Sequence, residues 1–211
     1  GILSQKTPLG DLINAHLEDL PSDITAEVKQ IDPADTTAKS QLQSFVSDEV
    51  GGVFIGICGP MAVTAAKELV DLGYEGKIML YNCFASQGAA KAIQGFANGN
   101  IEVLAPAFIL GDVADDNPQA EAIAAFDEAG GKADIVFASG WDGLHLIASA
   151  IEAAGSSDPA DIIATLQDDF AFDGVWSSQV ITADDHRGAT AENALIPAVF
   201  TSEGTLEPAE S

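Results

Sequence analysis

Gly51-Gly52-Val53-Phe54-Ile55-Gly56-Ile57-Cys58 is an apolar run that leads through Gly59-Pro60 into a segment of helical spacing, and a second apolar run closes on Tyr81-Asn82-Cys83-Phe84. Strand, helix and strand in that order make a βαβ unit, whose two strands are parallel. Parallel neighbours end on the same edge of their sheet. Cys58-Gly59-Pro60 and Asn82-Cys83-Phe84 therefore share one rim, and open α/β sheets bind ligands beyond the carboxyl ends of their strands.

The alternation continues in both directions from this unit. Upstream, Leu9, Leu12, Ile13, Leu17 and Leu20 recur at helical spacing until Pro21 stops them. Residues 26–32 alternate Val28 and Ile31 with polar residues, as a strand does. Thr36 or Thr37 is placed to cap a helix running to Asp48, whose apolar side holds Leu42, Phe45 and Val46. Within the unit, Pro60 sits in the first helical turn and Gly73 supplies the stop. Downstream, 77–83 reads as a strand, 86–98 as a helix and 101–110 as another strand. This repeated alternation with short connections predicts an α/β fold, a doubly wound parallel sheet with helices on both faces. Gly1-Ile2-Leu3 reads as the tail of a strand, so the chain opens partway through that pattern.

The pattern changes at Gly111-Asp112-Val113-Ala114-Asp115-Asp116-Asn117-Pro118, an acidic stretch bounded by proline that reads as a linker or crossover. Helices follow over 118–129, 138–154 and 159–167. Two β-like runs, 175–182 and 194–200, flank Ala183-Asp184-Asp185-His186-Arg187-Gly188, and residues from 201 onward read as a polar tail.

Composition narrows the function classes. The 211 residues include 33 acidic and 8 basic side chains, a formal net charge of −25, with Arg187 the single arginine. Such a chain repels phosphate backbones and anionic lipid, which speaks against nucleic-acid and membrane-surface roles and fits solubility in a salty medium. A hydrophobic content of 47% supports a packed core. No apolar run reaches the roughly 18 to 20 residues that cross a bilayer. The opening Gly1-Ile2-Leu3-Ser4-Gln5-Lys6 carries no secretion signal.

Catalytic motifs are missing. There is no Gly-x-Ser-x-Gly elbow, no Walker loop, and no Gly-x-Gly-x-x-Gly after a strand, so the sequence offers no catalytic residue and implies no cofactor. His145 lies within an apolar helix, and Asp184-Asp185-His186 reads as a turn in preference to a metal site. Cys58 and Cys83 are the only cysteines. Each ends one of two neighbouring strands, where they either form a disulfide or remain two small thiols, and without a histidine pattern they do not make a zinc site. Asn82 either contacts a ligand or satisfies a turn, and Phe84 either lines the rim or fills the core.

The order of elements, with several local signatures, resembles the branched-chain amino-acid type of periplasmic binding protein, the type I substrate-binding component of an ABC importer. The resemblance runs from Gly1 to about Phe200. It rests on Gln5-Lys6-Thr7-Pro8-Leu9-Gly10, on Gln30-Ile31-Asp32-Pro33-Ala34-Asp35-Thr36-Thr37, and on Gly59-Pro60 followed by Leu72-Gly73-Tyr74. Gly140-Trp141-Asp142-Gly143-Leu144-His145-Leu146-Ile147, Phe172-Asp173-Gly174 and Asp185-His186-Arg187-Gly188 complete it.

The resemblance implies a two-lobed clamshell that captures a small molecule and does not convert it. Residues 1–110 correspond to the second lobe, 111–170 to a crossover and helices of a first lobe whose sheet precedes Gly1, 171–200 to β-like runs returning through the hinge, and 201–211 to a tail. It implies ligand contacts at Thr7, Cys58, Gly59, Asn82, Cys83 and Phe84, with Trp141 near the hinge or cleft. It also implies an ABC permease as partner and a periplasmic or extracellular location. Amino-acid binders of this kind typically present aromatic residues near positions 7, 58 or 59 and a carboxylate near position 82 that holds an ammonium group. Here Asn82 is neutral and suits an amide, hydroxyl or carboxylate. Two alternatives use related folds: a clamshell sensing domain of a receptor or regulator, and a flavodoxin-like enzyme domain.

Overall fold

The computed structural model describes residues 1–111, 120–131, 134–176, 178–186 and 195–209. These fall into two units, residues 1–104 with 197–211, and residues 105–196.

In the first unit the expected alternation is present. β1 (Ile2–Gln5), α1 (Pro8–Ala15), β2 (Val28–Ile31), α2 (Lys39–Ser47), β3 (Gly52–Gly56), α3 (Pro60–Asp71), β4 (Lys77–Leu80), α4 (Gln87–Ile93) and β5 (Ile101–Ala105) follow one another. The pairs β1–β2, β1–β3, β3–β4 and β4–β5 are all parallel. Because β1 sits between β2 and β3 in the sheet, the first crossover runs opposite to the later ones. Right-handed crossovers therefore place α1 on one face and α2, α3 and α4 on the other.

The two faces are packed unequally. Leu3, Val53, Ile55, Ile78, Leu80, Ile101 and Val103 are buried, as are Leu42 and Phe45 of α2, Leu69 of α3 and Ile93 of α4. This is the main core, each such side chain contributing about 1.5 to 3 kcal/mol on full burial. On the opposite face Ile2, Phe54, Met79 and Leu104 stay partly exposed, where among the described elements of this unit α1 and a 3-10 turn at His16–Asp19 lie.

Several boundaries differ from the sequence reading, each for a local reason. The strand expected over 77–83 stops at Leu80, and Asn82–Phe84 curls into a 3-10 turn in which the Ala85 amide donates to the Asn82 carbonyl. The strand expected over 101–110 stops before Pro106, which has no N–H for the ladder. No side-chain cap from Thr36 or Thr37 starts α2 alone. The Glu68 carboxylate of α3 accepts from the Ala38 amide at 2.9 Å and from the Thr37 hydroxyl, while the Lys39 amide donates to Thr37 Oγ1 at 3.3 Å.

The runs flanking the aspartate turn do not pair with each other. β6 (Phe170–Asp173), which the sequence reading did not single out, pairs antiparallel with β7 (Ser178–Ile181). β8 (Ile196–Phe200) instead joins the main sheet beside β5, and Leu206–Pro208, within the stretch read as a polar tail, forms β9 against it. Leu206 is buried, which explains the docking of that segment. The seven strands run in the order β2-β1-β3-β4-β5-β8-β9, with β2 and β9 at the edges. The acidic stretch 112–118 and the pair Arg187-Gly188 lie outside the described residues.

The second unit carries α5 (Ala120–Glu128), α6 (Ile135–Ala154), α7 (Pro159–Leu166) and the β6–β7 hairpin. Asp134 caps α6 by accepting from the Val136 and Phe137 amides, and Asp158 caps α7 through the Ala160 amide. Among the described residues no helix is long and apolar enough to cross a membrane.

Most described ion pairs lie at the surface, as at Lys6–Asp32 and Lys67–Asp71, and eight basic residues cannot neutralise 33 acidic ones. Self-repulsion of the folded chain should dominate its salt response. Raising sodium chloride from about 0.05 to 1 M, which shortens the screening length to about 3 Å, is expected to raise the melting temperature by several degrees. A scanning-calorimetry midpoint indifferent to salt would contradict this.

Candidate functional site

The carboxyl ends of β1, β3 and β4 lie side by side, as their pairings Ser4↔Gly56 and Ile55↔Leu80 require. The residues that follow these strands form one rim: Lys6-Thr7 after β1, Ile57-Cys58-Gly59 after β3, and Tyr81-Asn82-Cys83-Phe84 after β4. Six of the seven residues expected to contact a ligand are gathered there. Trp141 lies in the second unit, on α6.

Each rim residue is positioned by a helix start. Thr7 is the N-cap of α1, its hydroxyl oxygen accepting from the Gly10 amide at 3.2 Å, which leaves its O–H free to donate. Gly59 adopts φ +101° and ψ −179°, a conformation that L side chains avoid, and turns the chain from β3 into the first residue of α3, Pro60. With glycine at this N-cap, no side chain covers the first amides of α3. Ser86, which the sequence reading used only as a helix start, caps α4 through the Ala89 amide at 3.0 Å. Its half-buried hydroxyl sits two residues from Phe84 and extends the polar part of the rim.

Cys58 and Cys83 are joined by a disulfide, with Cα atoms 6.1 Å apart. The pairing settles the alternative left open by the sequence. The bond ties the exposed tip after β3 to the tip after β4, so Gly59 and Asn82 are held on either side of it.

Asn82 is half-buried, and the turn around it is satisfied by its main-chain carbonyl, not by its side chain. Among the described residues its side-chain amide makes no hydrogen bond, so both donors and the acceptor remain available. Phe84 is only 9% exposed and belongs mostly to the core. Lys6 precedes Thr7 directly, and its ammonium is engaged by Asp32 at 3.0 Å. Apart from Lys6, held by Asp32, the rim residues carry uncharged side chains, although the chain as a whole is strongly anionic.

In the second unit Trp141 stacks on His145 with ring centroids 4.2 Å apart, and Phe137 stacks on Phe126 at 4.3 Å, giving an aromatic row at helical spacing. Asp142 turns the other way. It is 6% exposed and accepts from the Val175 amide at 2.7 Å and the Trp176 amide at 2.9 Å, fastening the β6–β7 turn to α6. A Cβ at Gly174 would come within 2.4 Å of this carboxylate, so only glycine fits there. The clasp was missed in the sequence, although an aspartate on an apolar helix and Phe-Asp-Gly downstream were its two signals.

The family profile described as Periplasmic binding protein matches residues 2–196. The chain belongs to this family. The periplasmic binding protein fold is supported by solved structures as well. An extracellular ligand-binding receptor from Rhodopseudomonas palustris HaA2 superposes with a TM-score of 0.86 at 16% identity, covering 100% of this chain and 63% of the other. A leucine binding protein from Thermotoga maritima MSB8 gives 0.78 at 15%, covering 100% and 59%. An amino acid ABC transporter substrate-binding protein from Pseudomonas fluorescens Pf-5 gives 0.75 at 15%, covering 98% and 57%. This periplasmic binding protein chain therefore spans about three-fifths of the length of those structures, and at such identities the likeness shows the fold alone. No curated protein matches the sequence.

Proposed function

We propose that this chain is the larger part of an exported solute-binding component of an ABC importer, which holds a small polar organic molecule at the rim after β1, β3 and β4 and releases it unchanged to a membrane permease. The observation that carries the reading is the Asn82 amide, half-buried at the carboxyl edge of a parallel sheet, hydrogen-bonded to no described residue and flanked by a disulfide that fixes its place. Membership of a ligand-binding family and the disulfide, which persists in oxidising compartments, support capture outside the cytoplasm.

Thr7, Cys58, Gly59, Asn82 and Cys83 form the contact surface in this reading, with Phe84 supporting it from beneath. A neutral amide presents two donors and one acceptor, which favours amides, hydroxyls and carboxylates over a bare ammonium group. Amino acids and their amide or carboxylate relatives are the ligand class. Binding favours a closed arrangement of two lobes, and a permease recognises that form.

In this reading the second unit supplies helices to the other lobe, and the sheet of that lobe would cover Val136, Leu144, Ile147 and Ile151 of α6 and Ile163 of α7, which are exposed. A thermal-shift screen of amino acids, amides and small carboxylates on the full-length protein tests the reading. One of these classes is expected to raise the midpoint. Asn82→Ala should weaken that ligand about tenfold by calorimetry, the worth of one or two hydrogen bonds, with little loss of stability. Unchanged affinity would remove Asn82 from the site.

A further inference from the structure

We propose that the Cys58–Cys83 disulfide is a covalent capture site for small neutral or cationic thiols, which take Cys58 into a mixed disulfide and release Cys83 as a free thiol. The inference rests on where the bond sits and stands whatever solute the rim holds.

The bond joins two loop tips and touches no strand of the sheet. Cys58 lies two residues beyond the end of β3 at Gly56, and Cys83 lies inside the 3-10 turn Asn82–Phe84. Cys58 is exposed, whereas Cys83 is half-buried between Asn82 and the buried Phe84. Exchange requires a thiolate to reach one sulfur of a disulfide, and access helps decide which sulfur is attacked. Here that sulfur is Cys58 Sγ. The incoming thiol gives its proton to water, and its sulfur bonds to Cys58 Sγ as the bond from Cys58 Sγ to Cys83 Sγ breaks. Cys83 Sγ leaves with the electron pair and takes up a proton. One disulfide is consumed and one is formed, so the step needs no oxidant.

The surroundings favour this step. Residues 51–66 and 78–90 hold no charged side chain, in a chain with 33 acidic residues. A thiolate arriving at the bond therefore meets no carboxylate from either tip. Gly59, directly after Cys58, starts α3 with no side-chain cap, and the positive end of this 12-residue helix favours the negative charge that the exchanging sulfurs share. At longer range the net charge of −25 repels anionic thiols and draws cationic ones, so selection by charge precedes contact. Once a thiol is held, the Asn82 amide next to Cys83, hydrogen-bonded to no described residue, offers donors and an acceptor to a polar group on it. Capture also removes the crosslink, and the adduct should melt about 10 °C below the parent.

The test exposes the intact protein to cysteamine, mercaptoethanol or mercaptopropionate, which are cationic, neutral and anionic. Free thiols are then trapped with N-ethylmaleimide and both cysteines are mapped by mass spectrometry. Cys58 should carry the small thiol and Cys83 the maleimide. Per thiolate, cysteamine should react about tenfold faster than mercaptopropionate at about 0.02 M salt, and about 1 M salt should bring that ratio to about two. Two single variants check the choice of sulfur without the disulfide. Cys58 in Cys83→Ala should exchange with cystamine about tenfold faster than Cys83 in Cys58→Ala. The reverse labelling of the two cysteines overturns the proposal, as do equal rates in the two variants or a thiol preference indifferent to salt. Adduct formation no faster than hydrogen exchange of the β3 and β4 amides overturns it too, by placing the reaction in the unfolded chain.

Discussion

Replacing Cys58 and Cys83 together by alanine is expected to lower the unfolding free energy by about 3.5 kcal/mol, the loop-closure entropy of a crosslink with a sequence separation of 25. For a chain of this size that is a fall of about 10 °C in melting temperature. Reduction by dithiothreitol should give the same shift in the parent and none in the double variant, and parent and variant melting alike would show that the crosslink adds nothing. The effect should extend to binding. Asn82 precedes Cys83 directly, so freeing the two tips lets the amide sample positions it does not hold here, and ligand affinity should fall together with stability.

Asp142→Ala is expected to cost about 3 kcal/mol. The substitution removes a buried carboxylate that accepts from the Val175 and Trp176 amides, and it leaves both donors without a partner in a place where Val175 is 3% exposed. Asp142→Asn keeps one acceptor but turns an NH2 group toward the other donor, so its cost should be intermediate. Gly174→Ala should resemble Asp142→Ala, because its new methyl group enters the same space. Hydrogen exchange at Val175 and Trp176 distinguishes this account from a general loosening: their protection should collapse in Asp142→Ala while that of β3 and β4 is retained. Loss of protection throughout, or none at all, would contradict the clasp.

The parts of the fold legible in sequence are those set by local patterns. The βαβ unit from Gly51 to Phe84 was readable because apolar runs, a proline in the first helical turn and a stop at Gly73 all lie within a few residues of what they control. The rim followed directly, since parallel strands must end together, which put Cys58 and Gly59 beside Asn82, whereas Thr7, Cys58, Gly59 and Asn82 were named as ligand contacts on the family resemblance. What was missed depends on partners distant in sequence. The start of α2 is capped by Glu68, some thirty residues away, and no inspection of Thr36 or Thr37 could reveal it. β8 was read only as one of two β-like runs flanking a turn, and its ladder partners β5 and β9 could not be named from that. β9 is three residues long, and Leu206 is the only apolar anchor in it. The state of Asn82 was also undecided in sequence, because a main-chain carbonyl satisfies the turn and sequence does not distinguish that from a side-chain bond.

The two borders of the main sheet have a consequence for how copies of the molecule meet. β2 offers four residues, with Lys29 held by Glu27, and β9 offers three that end in Pro208, which has no amide to donate. Neither border gives an incoming strand a long, flat row of unpaired main-chain groups. Fibril-like growth by strand addition is thus blocked at both margins, and a crowded solution of this protein should stay free of cross-β deposits even where its side-chain surfaces attract one another.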